Sequence, residues 1–433
     1  MAFDFKTIKV YCSNAAPRCL VGAFFFFPIS MALGYIAMLA TGLLWLLGGK
    51  VRAHWSIVKR QPVVWAGLGL YGLVFLGILY AKADADYVAL HISKYGKLLL
   101  LPVFIALLSD ARWRYRCMTA FAAAMLFVLF SVYASIWFDL PWSKTHNQGW
   151  GVDHTVVGDY ITQSIMMTFL VVVALDRGMH AVSHWAKGAW WSAAVLAVLS
   201  ITHLSSGRTG YVLLVAALLV FFMVATQGAR RWVALCVLAI GVTVVVSTSP
   251  TIQQRVQLAI TEVQTSDRME ITSIGGRVNF WKNTWQLVEE RPLMGWGTGS
   301  YHAQWCQVVA TPQWCAFGRW HPHNQFLFFW VEHGIPGLVL FAVLVFAPAW
   351  AARRAHPAQQ RLLLSFFTIF FIDSMINSPL WSSRESHFFI FMSAWLAAEA
   401  MFSPRRHSGG LPGNALAKPV PTCDGAPPRP PSA

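Results

Sequence analysis

Residues 20–49 read LVGAFFFFPISMALGYIAMLATGLLWLLGG, an apolar run of 30 residues without a charged side chain. A membrane-spanning helix needs about 20 residues, so this run is too long for one ordinary span. Pro28 and Gly34 lie inside the run and give the chain a place to turn back. Lysine and arginine residues flank it on both sides, which is typical of cytoplasmic segments, so the chain should cross the membrane twice here.

The composition of the whole chain agrees with a membrane protein. Its 433 residues are 56% hydrophobic and only 12% charged, which lies outside the range of soluble globular proteins. The predicted fold class is therefore an all-α polytopic membrane protein with about twelve transmembrane helices. The predicted spans are residues 20–33, 34–49, 63–80, 87–108, 115–138, 160–176, 189–204, 210–226, 232–248, 324–350, 361–378 and 387–402.

Basic residues set the predicted orientation. They cluster in every second loop, as in Arg112/Arg114/Arg116 and Arg353/Arg354, and such loops face the cytoplasm. Both termini are then cytoplasmic. The same distribution accounts for the net charge of +15 without a nucleic-acid partner, and membrane lipids are the expected surroundings.

The pattern divides the chain into four parts. Residues 1–248 carry predicted transmembrane helices 1–9, residues 249–322 form an outer loop domain, residues 323–402 carry helices 10–12, and residues 403–433 form a disordered cytoplasmic tail. Within the outer loop, the apolar spacing predicts an amphipathic helix near its start, a turn at Gly275-Gly276, and a second helix that ends before Pro292.

Two lysines lie inside a predicted span. Lys94 and Lys97, in HISKYGKLLLLP, share one helical face, and each would cost about 2.5–3.5 kcal/mol near the bilayer centre if unpaired. They therefore either extend their ammonium groups to the outer interface or form an anion site near the outer leaflet.

Two arginines lie on the predicted outer side. Arg208, in SSGRTGY, follows a tight turn whose backbone N–H groups and guanidinium could cradle a phosphate, and the alternative is an arginine that pairs with lipid headgroups. Arg277, in GGRVNFWKNTW, begins an outer helix whose dipole would reinforce a bound anion, and the alternative is a solvated helix start.

The stretch HPHNQFLFFWVEHGIPG, residues 321–337, begins the tenth predicted span with unusually many polar residues. His323-Asn324, followed by nine residues and then Gly334-Ile-Pro-Gly337, fits the pattern H-[NSQ]-x9-G-x-x-G. Its glycines and proline should kink the helix. The kink either opens space for a polyprenyl or acyl chain or allows close helix packing.

The cysteines indicate a disulfide rather than a metal site. Cys306 and Cys315 lie close in sequence on the predicted outer side, where the environment is oxidising, so we expect them to be bonded. The seven cysteines show no C-x-x-C spacing. We expect no metal and no other cofactor.

The His323 pattern resembles the signature of the O-antigen ligase family, and the layout of most of the chain is similar to that family's. The shared features are about twelve spans, an arginine in a short outer loop, and a large outer loop with an early arginine before the signature. The run RPLMGWGTGSYH is similar to the family's P-x-x-G-x-G element at Pro292, Gly295 and Gly297. The resemblance implies a GT-C-like glycosyltransferase in the inner membrane of a Gram-negative bacterium.

The resemblance also implies a reaction and a site. The enzyme would transfer O-antigen polysaccharide from undecaprenyl diphosphate to a sugar hydroxyl of lipid A–core on the periplasmic face, with inversion and without a metal. By motif, the catalytic base is His323 and the diphosphate-binding arginines are Arg208 and Arg277, to which Lys94 and Lys97 add positive charge. Further candidate substrate-binding residues are His321, Asn324, Gly334, Gly337, Asp373 and Arg384.

These residue types suit that chemistry. Diphosphate leaves readily, so no pair of carboxylic acids is needed to protonate the leaving group. Guanidinium and ammonium groups stabilise the negative charge that develops on the departing phosphate oxygen, and a histidine can accept the proton of the acceptor hydroxyl.

The sequence alone also allows other functions. O-antigen polymerases and bacterial protein O-oligosaccharyltransferases share this layout. A transporter of lipid-linked oligosaccharides would also need many spans, but its charges should line a cavity at the membrane midplane, whereas here the polar residues gather at one face.

Overall fold

The computed structural model describes residues 5–264, 273–309 and 311–403, and these residues form helices and no strand. The all-α fold class is confirmed. Residues 404–433 of the predicted tail lie outside the described residues. The helices are α1 (Phe5–Ile29), α2 (Met31–Leu47), α3 (Val51–Val58), α4 (Pro62–Gly77), α5 (Ala85–Tyr95), α6 (Leu101–Leu107), α7 (Ala111–Ala134), α8 (Tyr160–His180), α9 (His184–His203), α10 (Arg208–Ala225), α11 (Ala229–Thr248), α12 (Pro250–Gln264), α13 (Ser273–Glu290), α14 (Tyr301–Val308), α15 (Pro312–Gly318), α16 (Gln325–Ala352), α17 (Pro357–Ile376) and α18 (Ser383–Phe402).

The helices confirm a polytopic membrane protein. Eight helices in the described ranges are long and apolar enough to cross a membrane, and a ninth span is added if α2 and α3, which are bent by 111°, count as one. All of the predicted apolar segments fall on helices. Because α9, α17 and α18 are not among the eight, the number of twelve spans stays a prediction.

The opening apolar run folds as a helical hairpin. Only Ser30 separates α1 from α2. At one end of the pair, a Cβ on Gly34 would come within 3.0 Å of the backbone of Phe27, and at the other end a Cβ on Gly48 would come within 3.2 Å of the backbone of Ser13. The glycines therefore let two antiparallel helices approach closely. α1 starts well before residue 20, where the sequence placed the first span, because the preceding polar segment is helical as well.

α18 lies at the centre of the bundle. Its residues 385–398 are all buried, and the ring of Phe388 contacts Phe121 of α7, Phe169 of α8 and Phe366 of α17. A helix that contacts protein on all sides can carry polar side chains within the membrane, because partners from neighbouring helices replace water. This central helix begins beside the polar residues described below.

The first half of the outer loop agrees with the sequence in part. α12 is the predicted amphipathic helix, and α13 ends before Pro292 as predicted. The predicted turn at Gly275-Gly276 is wrong, because both glycines lie in the first turn of α13. The connection between α12 and α13 falls on residues 265–272, outside the described part of the chain.

The second half of the outer loop is fixed by covalent and hydrogen bonds. Cys306 of α14 and Cys315 of α15 form the expected disulfide, with their Cα atoms 4.6 Å apart. The indole of Trp305 donates a hydrogen bond to the carbonyl of Trp314 at 2.9 Å, which ties the same two helices a second time. These bonds hold the segment that leads into His321 and His323.

Candidate functional site

His323 has a strained backbone at the mouth of α16. Its φ of 50° is the only positive value for a non-glycine residue in the described chain. L-residues rarely adopt this conformation, and where they do, surrounding contacts must hold it. The carbonyl of His323 accepts a hydrogen bond from the indole of Trp281 at 3.2 Å, and the next residue, Asn324, caps α16 by accepting from the N–H of Leu327 at 3.0 Å. Asn324 thus fixes where the helix begins.

The imidazole of His323 is held between two rings. It lies nearly parallel to Phe280 of α13, with centroids 5.3 Å apart, and 4.3 Å from the ring of His321. Its Nδ1 is buried and has no hydrogen-bond partner among the described residues. Burial and the positive charge of Arg277 lower the pKa of His323 to about 4, while a hydrogen bond with Asn377 opposes the shift. The ring is therefore neutral at pH 7.

His321 orients the loop. Its Nδ1 accepts a hydrogen bond from the backbone N–H of His323 at 3.3 Å, so the ring proton of a neutral His321 is on Nε2. Burial lowers the pKa of His321 well below its ordinary value, and the charges of His323, Lys94 and Arg277 lower it further. The positive charges of Lys94 and Arg277 beside this histidine pair suit the binding of an anion on that side.

Two of the predicted cations come together here. Arg277 lies on α13, one turn before Phe280, and its charge acts on both histidines. Lys94 lies on α5, where its ammonium donates to the carbonyl of Trp381 at 2.9 Å and stands 4.7 Å from the centre of that ring. The structure thus brings the outer loop, α5 and the start of α16 to one point.

The other two predicted cations lie to the side. Arg208 is the first residue of α10, and the glycine before it packs against Tyr160 at the start of α8. Lys97 is buried and donates hydrogen bonds to the hydroxyls of Ser386 and Tyr35 and to the carbonyl of Ser383. The ammonium of Lys97 therefore holds the first turn of α18.

An acidic group of residues lies on the opposite side of His323. Asp373, near the end of α17, is fully buried, and neither of its carboxylate oxygens has a hydrogen-bond partner among the described residues. Asn377, one turn further on, donates to Glu385 at 3.2 Å, and the hydroxyl of Thr162 donates to the other oxygen of Glu385 at 2.9 Å. Arg277 also interacts electrostatically with Asp373, which connects the acidic and basic sides of the site.

Arg384 packs between two outer segments. Its Nη2 approaches the carbonyl of Ile29 at 3.5 Å, and its Nη1 lies where a Cβ on Gly158 would be only 2.6 Å away. Nε and Nη1 of Arg384 are buried without a hydrogen-bond partner among the described residues. A guanidinium in this state retains donors for a ligand or for water.

The Gly334 motif forms a break in α16. Gly334 has a φ of 61° and interrupts the helix, which confirms the predicted kink. A Cβ there would lie 2.1 Å from the carbonyl oxygen of Leu293, so the backbone of the loop fills the space beside the glycine. A Cβ on Gly337 would meet the carbonyl oxygen of Phe329 at 2.6 Å. Protein backbone, and not open space, therefore lies beside Gly334, whereas Gly337 lets the two halves of α16 approach each other across the kink.

The P-x-x-G-x-G element is the segment that docks at this break. The N–H groups of Trp296 and Gly297 donate to the carbonyls of Val331 and Glu332 at 2.9 and 2.8 Å, and the N–H of Ile335 donates to the carbonyl of Pro292 at 3.1 Å. These bonds satisfy backbone groups that the kink frees from the helix. The two motifs of the sequence are therefore one structural unit.

Glu332 ties this unit to α5. One of its carboxylate oxygens lies 3.0 Å from Nε2 of His91, and the other lies 3.8 Å from Nε2 of His333. All three side chains are buried. The Glu-His pair at residues 332 and 333 thus joins α5, α16 and the loop beneath the site.

Sequence reasoning missed several polar residues of this region, which are Thr162, Glu332, His91, Asn377 and Glu385. The available signal was the density of polar residues in DSMINSPLWSSRES, where a transmembrane segment should be ending. The pairs His91–Glu332 and Thr162–Glu385 could not be predicted from sequence, because each joins elements far apart in the chain. Among the described residues, no group of three or more His, Cys, Asp or Glu side chains is arranged to hold a metal ion.

The fold and site define a polytopic membrane protein with a basic, histidine-containing centre where the outer loop meets the bundle. Residues 192–342 match the family model Wzy_C, described as O-antigen ligase. This match confirms the resemblance to the O-antigen ligase family over about a third of the chain. It includes Arg208, Arg277 and His323 and ends before Asp373. No curated protein matches the chain.

Proposed function

We propose that the protein is a glycosyltransferase that moves O-antigen polysaccharide from undecaprenyl diphosphate to a sugar hydroxyl of lipid A–core. The proposal rests on His323, a neutral imidazole that lies near Arg277 and whose Nδ1 has no hydrogen-bond partner among the described residues. A neutral imidazole can take a proton from a hydroxyl, and a guanidinium can hold a phosphate through two parallel hydrogen bonds. The family match supports the same class of reaction.

In the proposed step, the acceptor hydroxyl attacks C1 of the first donor sugar while the imidazole of His323 takes the hydroxyl proton. The bond between C1 and the phosphate oxygen breaks, its electron pair goes to that oxygen, and undecaprenyl diphosphate leaves. Attack from the side opposite the leaving group inverts the anomeric centre. Because the leaving group is an anion that needs no proton, the step relies on positive side chains and needs no metal.

Arg277 and Lys94 are the proposed primary ligands of the diphosphate. The positive charge of each already acts on His321, so an anion bound between them would lie next to the histidine pair. Arg208, the first residue of α10, would contribute its guanidinium. Lys97 would add charge from beneath while it holds the first turn of α18.

Binding of the donor would also make His323 a stronger base. Without a ligand, burial and the charge of Arg277 hold the pKa of His323 at about 4, which makes it a weak base. A bound diphosphate places negative charge beside Arg277, opposes its effect and raises the pKa of His323. The proton acceptor would then become effective when the donor is in place.

We also propose the membrane in which the enzyme lies and its orientation there. Both termini face the cytoplasm, and residues 249–322 form a domain on the periplasmic face of the inner membrane of a Gram-negative bacterium. Residues 1–248 and 323–402 supply the spans on either side of that domain, and residues 403–433 form a cytoplasmic tail. The alternation of basic loops supports this arrangement.

The product made by the purified protein tests the proposal. The protein in lipid would receive glycan-linked undecaprenyl diphosphate and lipid A–core, without a nucleotide. The expected products are lipid A–core that carries the glycan and free undecaprenyl diphosphate. Longer glycan on the carrier would instead identify a polymerase, glycan on an added protein an O-oligosaccharyltransferase, and movement of unchanged donor across the bilayer a transporter.

A further inference from the structure

We propose that Tyr87, His302 and Trp320 form an aromatic platform that binds a sugar ring of the glycan at the entrance to the site. The inference rests on the proposed function and assigns a carbohydrate subsite within it. The rings of Tyr87 and His302 are stacked with centroids 3.9 Å apart, and Trp320 lies 6.0 Å from Tyr87 and 6.4 Å from His302. Trp320 is 42% exposed, so part of its ring is available to a ligand.

Three separate segments build the platform. Tyr87 comes from the first turn of α5, His302 from the start of α14, and Trp320 from the segment between α15 and α16. The hydroxyl of Tyr87 and Nε2 of His302 are hydrogen-bonded at 2.9 Å, and a Cβ on Gly299 would come within 3.0 Å of the Tyr87 backbone. The rings are thus ordered before any ligand arrives, which lowers the entropic cost of binding.

The disulfide fixes the third ring. Cys306 and Cys315 join α14 to α15, which ends two residues before Trp320, and the Trp305–Trp314 hydrogen bond reinforces this connection. The guanidinium of Arg319 stands 5.0 Å from the centre of the Trp320 ring. The exposed part of the Trp320 ring therefore has a fixed position, with a guanidinium over one face of the ring.

This combination suits a sugar better than a lipid chain. One face of a pyranose carries C–H groups that pack on an aromatic ring, while its hydroxyls need polar partners at the ring's edge. Nε of Arg319 is buried and has no hydrogen-bond partner among the described residues, so a donor remains there. Burial and the charge of Arg319 lower the pKa of His302, which keeps its ring neutral near pH 7.

The platform is continuous with the proposed reaction centre. Trp320 directly precedes His321, and Tyr87 lies seven residues before Lys94 on α5. At 1.5 Å per residue, Tyr87 and Lys94 are about 10 Å apart along one helical face. A short oligosaccharide spans that distance, so a glycan with one end at the diphosphate or at His323 would reach the platform.

The alternative is that these rings only anchor the protein at the membrane interface, where tryptophan and tyrosine are common. Trp137 provides the matched control, because it is 67% exposed and follows the predicted outer end of α7. The full-length protein in lipid nanodiscs would be titrated with two probes that cannot react. These are the core oligosaccharide from lipopolysaccharide that lacks O-antigen and an O-antigen oligosaccharide that lacks core sugars, with binding followed by saturation-transfer NMR.

One of the two fractions should bind the wild type, and its identity tells whether the platform holds the acceptor or the donor glycan. Trp320→Ala should weaken that binding at least tenfold, Trp320→Phe should largely retain it, and Trp137→Ala should leave it unchanged. The platform is refuted if neither fraction binds, if Trp320→Ala binds like the wild type, or if Trp137→Ala loses as much affinity.

A parallel transfer assay separates this inference from the proposed function. Normal transfer kinetics for Trp320→Ala would refute the platform and leave the glycosyltransferase standing. Glycan binding that depends on Trp320, in a protein that makes no product, would support the platform and refute the proposed reaction.

Discussion

His323 combines a strained backbone with a ring nitrogen, Nδ1, that has no hydrogen-bond partner in the described parts of the chain, and the surrounding structure explains how both persist. The indole of Trp281 holds its carbonyl, Asn324 starts the helix beyond it, and Phe280 covers its ring. Residues that keep costly conformations cluster at functional sites, because neighbouring contacts there maintain an arrangement the chain would not adopt alone. Sequence predicted His323 from a motif, but it could not predict the strain or the role of Asn377, which depend on tertiary contacts.

The pH dependence of transfer should report this environment. Because the pKa of His323 in the free protein is about 4, the ring stays deprotonated, and able to accept a proton, well below its ordinary titration range. The initial rate at low donor concentration follows kcat/KM, which reports groups of the free enzyme. We expect that rate to be flat between about pH 7.5 and 5.5 and to fall only at lower pH. An acidic limb near pH 6.5, the ordinary histidine value, would contradict the assigned environment.

The arginines should act through their planar geometry as well as their charge. Lysine keeps the charge of Arg277 or Arg208 but cannot donate two parallel hydrogen bonds to a phosphate. A lost charge-assisted hydrogen bond is worth about 1.5–3 kcal/mol, so Arg277→Lys and Arg208→Lys should each slow transfer roughly ten- to over a hundredfold.

Arg255 of α12 serves as the control for these two variants, since it lies on the outer loop and we assign it no ligand. Arg255→Lys should transfer at the wild-type rate at matched expression. Full rates for both Arg277→Lys and Arg208→Lys would show that the arginines interact with headgroups or protein instead of holding the diphosphate as a fork.

At the scale of the elements, the kink of α16 joins two motifs that the sequence presents separately. The pattern predicted a bend at Gly334, but it left open whether the bend makes room for lipid or for protein. In the structure, the P-x-x-G-x-G segment fills the space beside the bend. Its N–H groups donate hydrogen bonds to carbonyls that the kink frees from the helix. Such pairing joins residues about 35 positions apart, a relation that helical periodicity does not contain.

Gly334→Ala should therefore disrupt the protein more than its chemical size suggests. A methyl group there would meet the Leu293 carbonyl in a backbone conformation with φ of 61°, which non-glycine residues avoid. We expect the substitution to lower the free energy of unfolding by about 1–3 kcal/mol and to lower the melting temperature in detergent. Gly72→Ala on α4 is the control, because a Cβ there meets nothing within 4 Å. Equal melting temperatures for the two variants would argue against the tight loop–helix junction.

At the scale of the whole molecule, composition and apolar run length were enough to predict a polytopic all-α fold. They also predicted α18 as a span, but the number of twelve stays a prediction, because central helices such as α18 contact protein on every side and carry Glu385, Ser386 and His387. A high mean hydropathy is typical of helices whose side chains face lipid, so a helix in the interior of the bundle can span the membrane with a lower mean hydropathy. The helical hairpin at residues 20–49 was predictable, since its length, its internal proline and glycine, and its basic flanks all indicate one turn.

The orientation follows from charge alone and can be tested with single cysteines. Gln148→Cys should react with a membrane-impermeant thiol reagent in intact spheroplasts, because its loop follows α7 on the predicted outer side. Val182→Cys, in the basic loop before α9, should react only after the membrane is opened, although Val182 is 98% exposed. The unsubstituted protein is the control for labelling of the native cysteines. Reversed labelling of the two sites would invert the topology and place His323 in the cytoplasm.

The central claim is that His323 accepts the proton of the acceptor hydroxyl, and one measurement tests it most directly. The initial rate of glycan transfer to lipid A–core would be compared for wild type, His323→Ala and His146→Ala at matched expression and insertion. His146 is the control because it is exposed and, in the part of the chain that the structure describes, forms an ion pair with Asp139 of its own loop. We expect a loss of about a hundred- to ten-thousandfold for His323→Ala and none for His146→Ala. A His323→Ala protein that transfers glycan within a few-fold of the wild-type rate would contradict it.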